Sequence, residues 1–243
     1  IEASQDRMDK VEAQFLSGQL SDNMRKIEQE FPEVPTLIYD GPYSQHITGM
    51  KPRTLEGLEE VDENEARKAA ATFLGISEGR VYLASTSEGQ IPAYHFNAKV
   101  NGGEMSVVVT RQGGKVMTVI SPRRPESAEI NEKEAVQIAK RFLERRGYKN
   151  MVESYYMIQN NILTANFAYK QGDVICYPYL VKVSVALDTG AIVGFEARGY
   201  ITAHYERDLP QVKVSVDEAR KLVSSQLEIL AEGLALIPTD GKY

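Results

Sequence analysis

The run Asn131-Glu132-Lys133-Glu134-Ala135-Val136-Gln137-Ile138-Ala139-Lys140-Arg141-Phe142-Leu143 decides the fold. Asn131 is a helix N-cap residue, and Glu134 follows at the capping-box spacing. Ala135, Ile138, Ala139, Phe142 and Leu143 then fall at i, i+3, i+4, i+7 and i+8, one apolar face of a helix. Gly147 closes that helix, as glycine past a helix end commonly does. Behind it, strands are expected at 152–159, 162–170, 174–187 and 191–200. Val181, Val183, Val185 and Leu187 alternate with Lys182, Ser184 and Ala186; earlier in the chain Tyr94, Phe96, Ala98 and Val100 alternate with His95, Asn97 and Lys99, so one sheet face is buried and the other is wet. Pro178 places a bulge or an edge in the third of these strands.

The same unit stands before it. Asp62 caps, Glu65 completes the box, and Ala66, Ala69, Ala70, Phe73 and Leu74 take the same five offsets up to Gly75. Strands are expected at 81–85, 93–100, 104–110 and 115–120, joined by turns at Asn101-Gly102-Gly103 and Gln112-Gly113-Gly114. A third copy starts at Ser215 and Glu218 and continues through Ala219, Leu222, Val223 and Leu227, with Gln226 in the place of Phe73 and Phe142. Its apolar face is expected to dock on the second module, and a strand is expected at 234–237. Ahead of all three lies a helical stripe of Met8, Val11, Phe15, Leu20, Met24, Ile27 and Phe31, ended by Pro32 and Pro35.

The fold class is therefore α+β. Tandem modules each place one helix on a four-stranded antiparallel sheet, preceded by an N-terminal helical segment. The boundaries are 1–57 for the N-terminal helix and strand segment, 58–121 for module 1, 129–201 for module 2 and 212–243 for a truncated module 3.

Bulk properties exclude several functions. The net charge is −6, from 28 basic and 34 acidic residues, with no long basic stripe, so nucleic acid is a poor partner. Cys176 is the single cysteine, which rules out an internal disulfide or a cysteine-rich zinc site. No run of apolar residues is long enough to span a bilayer. The chain begins at Ile1 inside a helical pattern. It is read as a fragment, soluble in itself, with a membrane or export signal expected in the segment before it.

No catalytic or cofactor-binding constellation emerges. Asp188-Thr189-Gly190 copies the aspartic-protease triplet, but that chemistry needs two such carboxylates and the matching turn of module 1 has none. His46, His95 and His204 form no metal-ligand spacing. No serine sits in a nucleophile elbow. Tyrosine is frequent, at 13 residues, and crowds module 2. Tyr155, Tyr156, Tyr177, Tyr179, Tyr200 and Tyr205 are the candidate partner-binding residues, because an exposed tyrosine offers both apolar area and a hydrogen bond.

The lines Asp62-Glu63-Asn64-Glu65-Ala66, Asn131-Glu132-Lys133-Glu134-Ala135 and Val216-Asp217-Glu218-Ala219, with Val183 through Asp188-Thr189-Gly190 to Val193, resemble PepSY domains. Three in order, with Ile120-Ser121-Pro122-Arg123-Arg124-Pro125 between the first two, are similar to the C-terminal PepSY repeats of the YpeB-type spore germination family. The resemblance implies a non-catalytic protein of the spore. It implies a place at the outer face of the inner forespore membrane, near the cortex. There such a protein binds, stabilises and restrains a cortex-lytic hydrolase of the SleB type. Peptidoglycan is the second partner implied. The alternative reading is a peptidoglycan-binding module or a hydrolase in its own right.

Overall fold

The computed structural model describes residues 52–101, 103–229 and 232–237. Residues 1–51 of the expected N-terminal helix and strand segment lie outside the described residues.

A short 3-10 turn, Arg53–Leu55, buries Leu55 and precedes helix α1, Glu63–Leu74. Asp62 caps α1 in both directions: its side chain accepts from the Glu65 amide at 2.8 Å, and its own amide donates to the Glu65 carboxylate at 2.9 Å. Such a cap contributes about 1 kcal/mol. Gly75 ends the helix at φ +73°, a conformation that a side chain would oppose.

Strands β1 (Val81–Ser87), β2 (Ala93–Val100), β3 (Gly103–Thr110) and β4 (Val116–Ile120) follow as a meander. Helix α2, Glu132–Arg145, then opens the second unit, with the Asn131 side chain accepting from the Glu134 amide at 3.0 Å. Strands β5 (Met151–Gln159), β6 (Ile162–Gln171), β7 (Val174–Ala186) and β8 (Ile192–Glu196) complete it.

The two half-sheets are one sheet. The order is β1-β2-β3-β4-β8-β7-β6-β5, so the last strand of each unit pairs antiparallel with the last strand of the other. One row runs straight across both units: Phe96, Val107, Val119, Phe195, Val183 and Ala165 are successive cross-strand neighbours. All six are buried. The two four-stranded sheets expected of modules 1 and 2 are halves of one sheet, and their hydrophobic faces merge into one core.

The opposite face is polar. Its rows carry the Lys182–Glu196 ion pair at 3.6 Å and a Thr164–Ser184 hydroxyl hydrogen bond at 2.8 Å. The predicted alternation holds at Lys182 and Ser184, which are half-buried between buried valines, but not at Ala186, Ala168 and Leu180, which are buried as well. Pro178 does sit at a bulge: the β6–β7 register jumps from Ala168–Leu180 to Tyr169–Cys176.

Three expectations change. The strand expected over 191–200 ends at Glu196, and the chain turns into helix α3, Arg198–Ala203. The Glu196 carboxylate accepts from the Arg198 amide at 2.7 Å, which ties the strand end to the helix start. The second change concerns the third copy. Its helix α4 spans only Val216–Lys221, despite a complete Ser215–Glu218 capping box, and buries nothing. Leu222 is 85% exposed and Leu227 67%, so the expected docking on the second unit does not occur. The third concerns strand β9, Leu234–Leu236. It does form where a strand was expected, but it pairs parallel with the start of β7 at Val174, Ile175 and Cys176 rather than opening a new sheet.

Candidate functional site: the groove between the repeat helices

Both helices lie on the buried face of the sheet, and their matching phenylalanines meet there. The Phe73 and Phe142 rings stand edge to face with centroids 5.5 Å apart, and both touch the Phe195 ring of β8, at 4.8 and 6.0 Å. A groove runs between the helices over this contact. It widens on one side into a cavity of about 880 Å³ and on the other into one of about 670 Å³.

Arg146 borders both cavities. It is the residue directly after α2, and Gly147 beyond it adopts φ +84° to turn the chain away. Its guanidinium lies over the rings of Phe73 and Phe142, 5.4 and 5.1 Å from their centroids. This is cation–π geometry. The Arg146 Nε is buried and has no hydrogen-bond partner. Burial, and secondarily the neighbouring Arg145 charge, push the Arg146 pKa below the usual arginine value.

The larger cavity is also lined by Lys68, Lys115 and Arg145. Among the described residues none of these four cations makes an ion pair. Glu65 is the one acid on the lining, and it is engaged with the Asp62 amide of the cap. A chain of net charge −6 thus presents a locally positive groove. The smaller cavity is walled by Leu74, Ile76, Val100, Met105, Val119 and Ile192.

The far end of the larger cavity is aromatic. Tyr200 of α3 stacks on His204 with centroids 4.1 Å apart, and Tyr148 meets Tyr200 edge-on at 5.3 Å. The Tyr179 hydroxyl accepts from Arg207 Nη1 at 2.8 Å, because a guanidinium can only donate. The same hydroxyl lies 3.3 Å from His204 Nδ1, within hydrogen-bond distance. Burial, reinforced by the Arg207 charge, lowers the His204 pKa to about 4. Burial, helped by Tyr169, raises that of Tyr200 to about 12.

The six tyrosines singled out from the sequence do not form one patch. Tyr179 is fully buried and belongs to the core rather than to a surface. Tyr200 is half-buried and lines the groove. Tyr205 lies between the guanidinium groups of Arg53 and Arg207, at 4.2 and 3.9 Å. Tyr177 sits half-buried beside the β7 bulge. Tyr155 and Tyr156 lie apart on β5, at 37% and 42% exposure.

Asp188 accepts two bonds from Arg123, at 2.7 and 2.8 Å, so the Asp-Thr-Gly turn locks the linker between the units rather than serving as an acid pair. Among the described residues no cluster of three or more His, Cys, Asp or Glu could hold a metal ion. Likewise, among those residues no helix is long and apolar enough to cross a membrane. Cys176 is buried and free.

The residues that sequence reasoning missed are Arg146, Lys68 and Lys115. In the sequence Arg145-Arg146 is only a short basic pair. The usable signal was position: an arginine placed directly past a helix whose repeat partner carries phenylalanine at the facing site.

The family model described as YpeB sporulation, PepSY1 and PepSY2 domains matches residues 20–210. A curated relative, sporulation protein YpeB of Halalkalibacterium halodurans, is 29% identical over 182 residues, 74% of this chain and 41% of that protein. The Bacillus subtilis protein of the same name is 27% identical over 134 residues, 54% of this chain and 30% of that protein. The chain therefore spans well under half the length of these curated relatives. In structure, the Bacillus megaterium YpeB C-terminal domain superposes with a TM-score of 0.69 at 24% identity, covering 75% of this chain and 83% of that one, which shows the shared fold. On the family match over 20–210, the chain belongs to the YpeB sporulation family of PepSY1 and PepSY2 domains.

Proposed function

We propose that the chain is the non-catalytic binding part of a sporulation protein, one that binds, stabilises and restrains a cortex-lytic hydrolase of the SleB type. It would act in the spore, at the outer face of the inner forespore membrane near the cortex, held there by a membrane segment outside this chain. Membership of the YpeB family supports the spore setting.

One observation carries recognition over chemistry. The groove gathers four cations and an aromatic floor, while its single acid is engaged in a helix cap. Such a surface can hold an anionic partner, yet it offers no paired carboxylates of the kind glycoside hydrolysis requires.

The test mixes purified chain with the hydrolase and spore cortex, and follows release of muramic-lactam fragments together with co-elution on gel filtration. Slower release with co-elution supports the proposal. Unchanged release without co-elution overturns it, and release by the chain alone makes it an enzyme.

A further inference from the structure

The groove's two ends have different chemistry, and the difference specifies an occupant. One end holds Lys68, Lys115, Arg145 and Arg146. The other is lined by Ile76, Met105, Val119 and Ile192 together with Ser77, Arg80 and Asn101. Arg146 stands between them with a buried, unsatisfied Nε. Among the described residues none of the four cations makes an ion pair, and a carboxylate supplied from outside would provide one to the Arg146 guanidinium. We propose that this groove binds an acidic protein segment in which a carboxylate reaches the Arg146 guanidinium and a large aliphatic side chain enters the adjoining cavity beside Met105, Val119 and Ile192.

A protein segment fits better than a peptidoglycan stem peptide. Both carry carboxylates, but the stem peptide has no large aliphatic side chain for the pocket formed by Met105, Val119 and Ile192. The inference deepens the reading of the chain as a binding unit and rests on it for the identity of the partner.

The experiment measures fluorescence anisotropy of labelled hexapeptides with the whole chain. The probes are alternating glutamate–leucine, its glutamine–leucine and glutamate–serine counterparts, and a free stem tetrapeptide as competitor. The glutamate–leucine peptide should bind about tenfold more tightly than either counterpart, as expected for one charge-assisted contact and one buried side chain. Arg146→Met should weaken it by a similar factor. Lys68→Gln with Lys115→Gln should also weaken it, and because both lysines are exposed, this pair tests the groove even where the Arg146 variant folds poorly.

Equal binding of glutamate and glutamine peptides, absence of binding, or unchanged affinity in the lysine pair overturns the proposal. So does displacement by the stem tetrapeptide at lower concentration than the glutamate–leucine peptide requires. Co-elution with the hydrolase separates the two readings. If wild-type and groove variants retain the hydrolase alike, the groove inference fails and the proposed function stands. If the peptide binds but no chain retains the hydrolase, the function fails and the groove stands.

Discussion

Phe73 and Phe142 occupy the same place in their repeats, counted from the caps Asp62 and Asn131, and their rings meet edge to face at 5.5 Å. The duplication thus supplies the contact that joins its own copies. In the third copy that place is taken by Gln226, an exposed residue beyond the end of α4. A polar amide cannot enter this aromatic cluster without burying unpaired groups. Helix α4, which stops short of Gln226, stays outside the core.

Phe195 touches both phenylalanines and Tyr148. Phe195→Ala should therefore cost about 3–5 kcal/mol in a urea titration, the range for a buried phenylalanine. Because the row through Val119 and Phe195 runs across both units, the variant should still unfold in one transition. A small loss confined to one half would show that the units are separate.

The parts of the fold that were legible in the sequence are local. The starts of α1, α2 and α4 follow from a cap and a carboxylate three residues later, and most strands from alternation and glycine turns. The β4–β8 junction was not legible, since Val119 and Phe195 look like any inward strand residues until both half-sheets exist. Helix α3 was hidden in an apolar run that also suits a strand. Tyr179 looked like a surface candidate because nothing local announces that Arg207 and His204 will cover its hydroxyl. Arg146 was invisible as a site because its environment comes from two helices far apart in sequence.

The Asp-Thr-Gly turn makes a steric prediction. Gly190 has φ +72°, and a Cβ there would come within 2.9 Å of the Ile138 side chain and 3.0 Å of Ile130. Gly190→Ala should destabilise the chain by about 1–3 kcal/mol, through both backbone strain and overpacking. A thermal unfolding temperature equal to wild type would contradict the packing of α2 on this turn.

The neighbouring Asp188 predicts a pH dependence. Its hydrogen bonds from Arg123 are the main cause that holds its pKa below the usual carboxylate value. Its contribution is therefore present above that ordinary value and is lost as pH falls through the folded one. Asp188→Asn should be less stable than wild type at neutral pH, and the two should converge in acid. Parallel curves across the whole range would reject the pair as a stabilising contact.

His204 adds a second window. Its pKa falls from 6.5 to about 4 on folding, so the unfolded chain binds the proton more readily between those values. Stability from the neutral ring is complete above about 6.5 and declines as pH drops toward 4. His204→Gln should flatten that decline, which comparison of denaturant midpoints at pH 7 and pH 5 will show. NMR titration of the ring near pH 6.5 in the folded chain would contradict the buried, neutral assignment.

The most direct measurement is cortex hydrolysis by a SleB-type enzyme with the wild-type chain, with the Lys68→Gln/Lys115→Gln variant, and without either. The account predicts slower muramic-lactam release with the wild-type chain and recovery of about the uninhibited rate with the variant. Release that is equally fast in all three mixtures would contradict it.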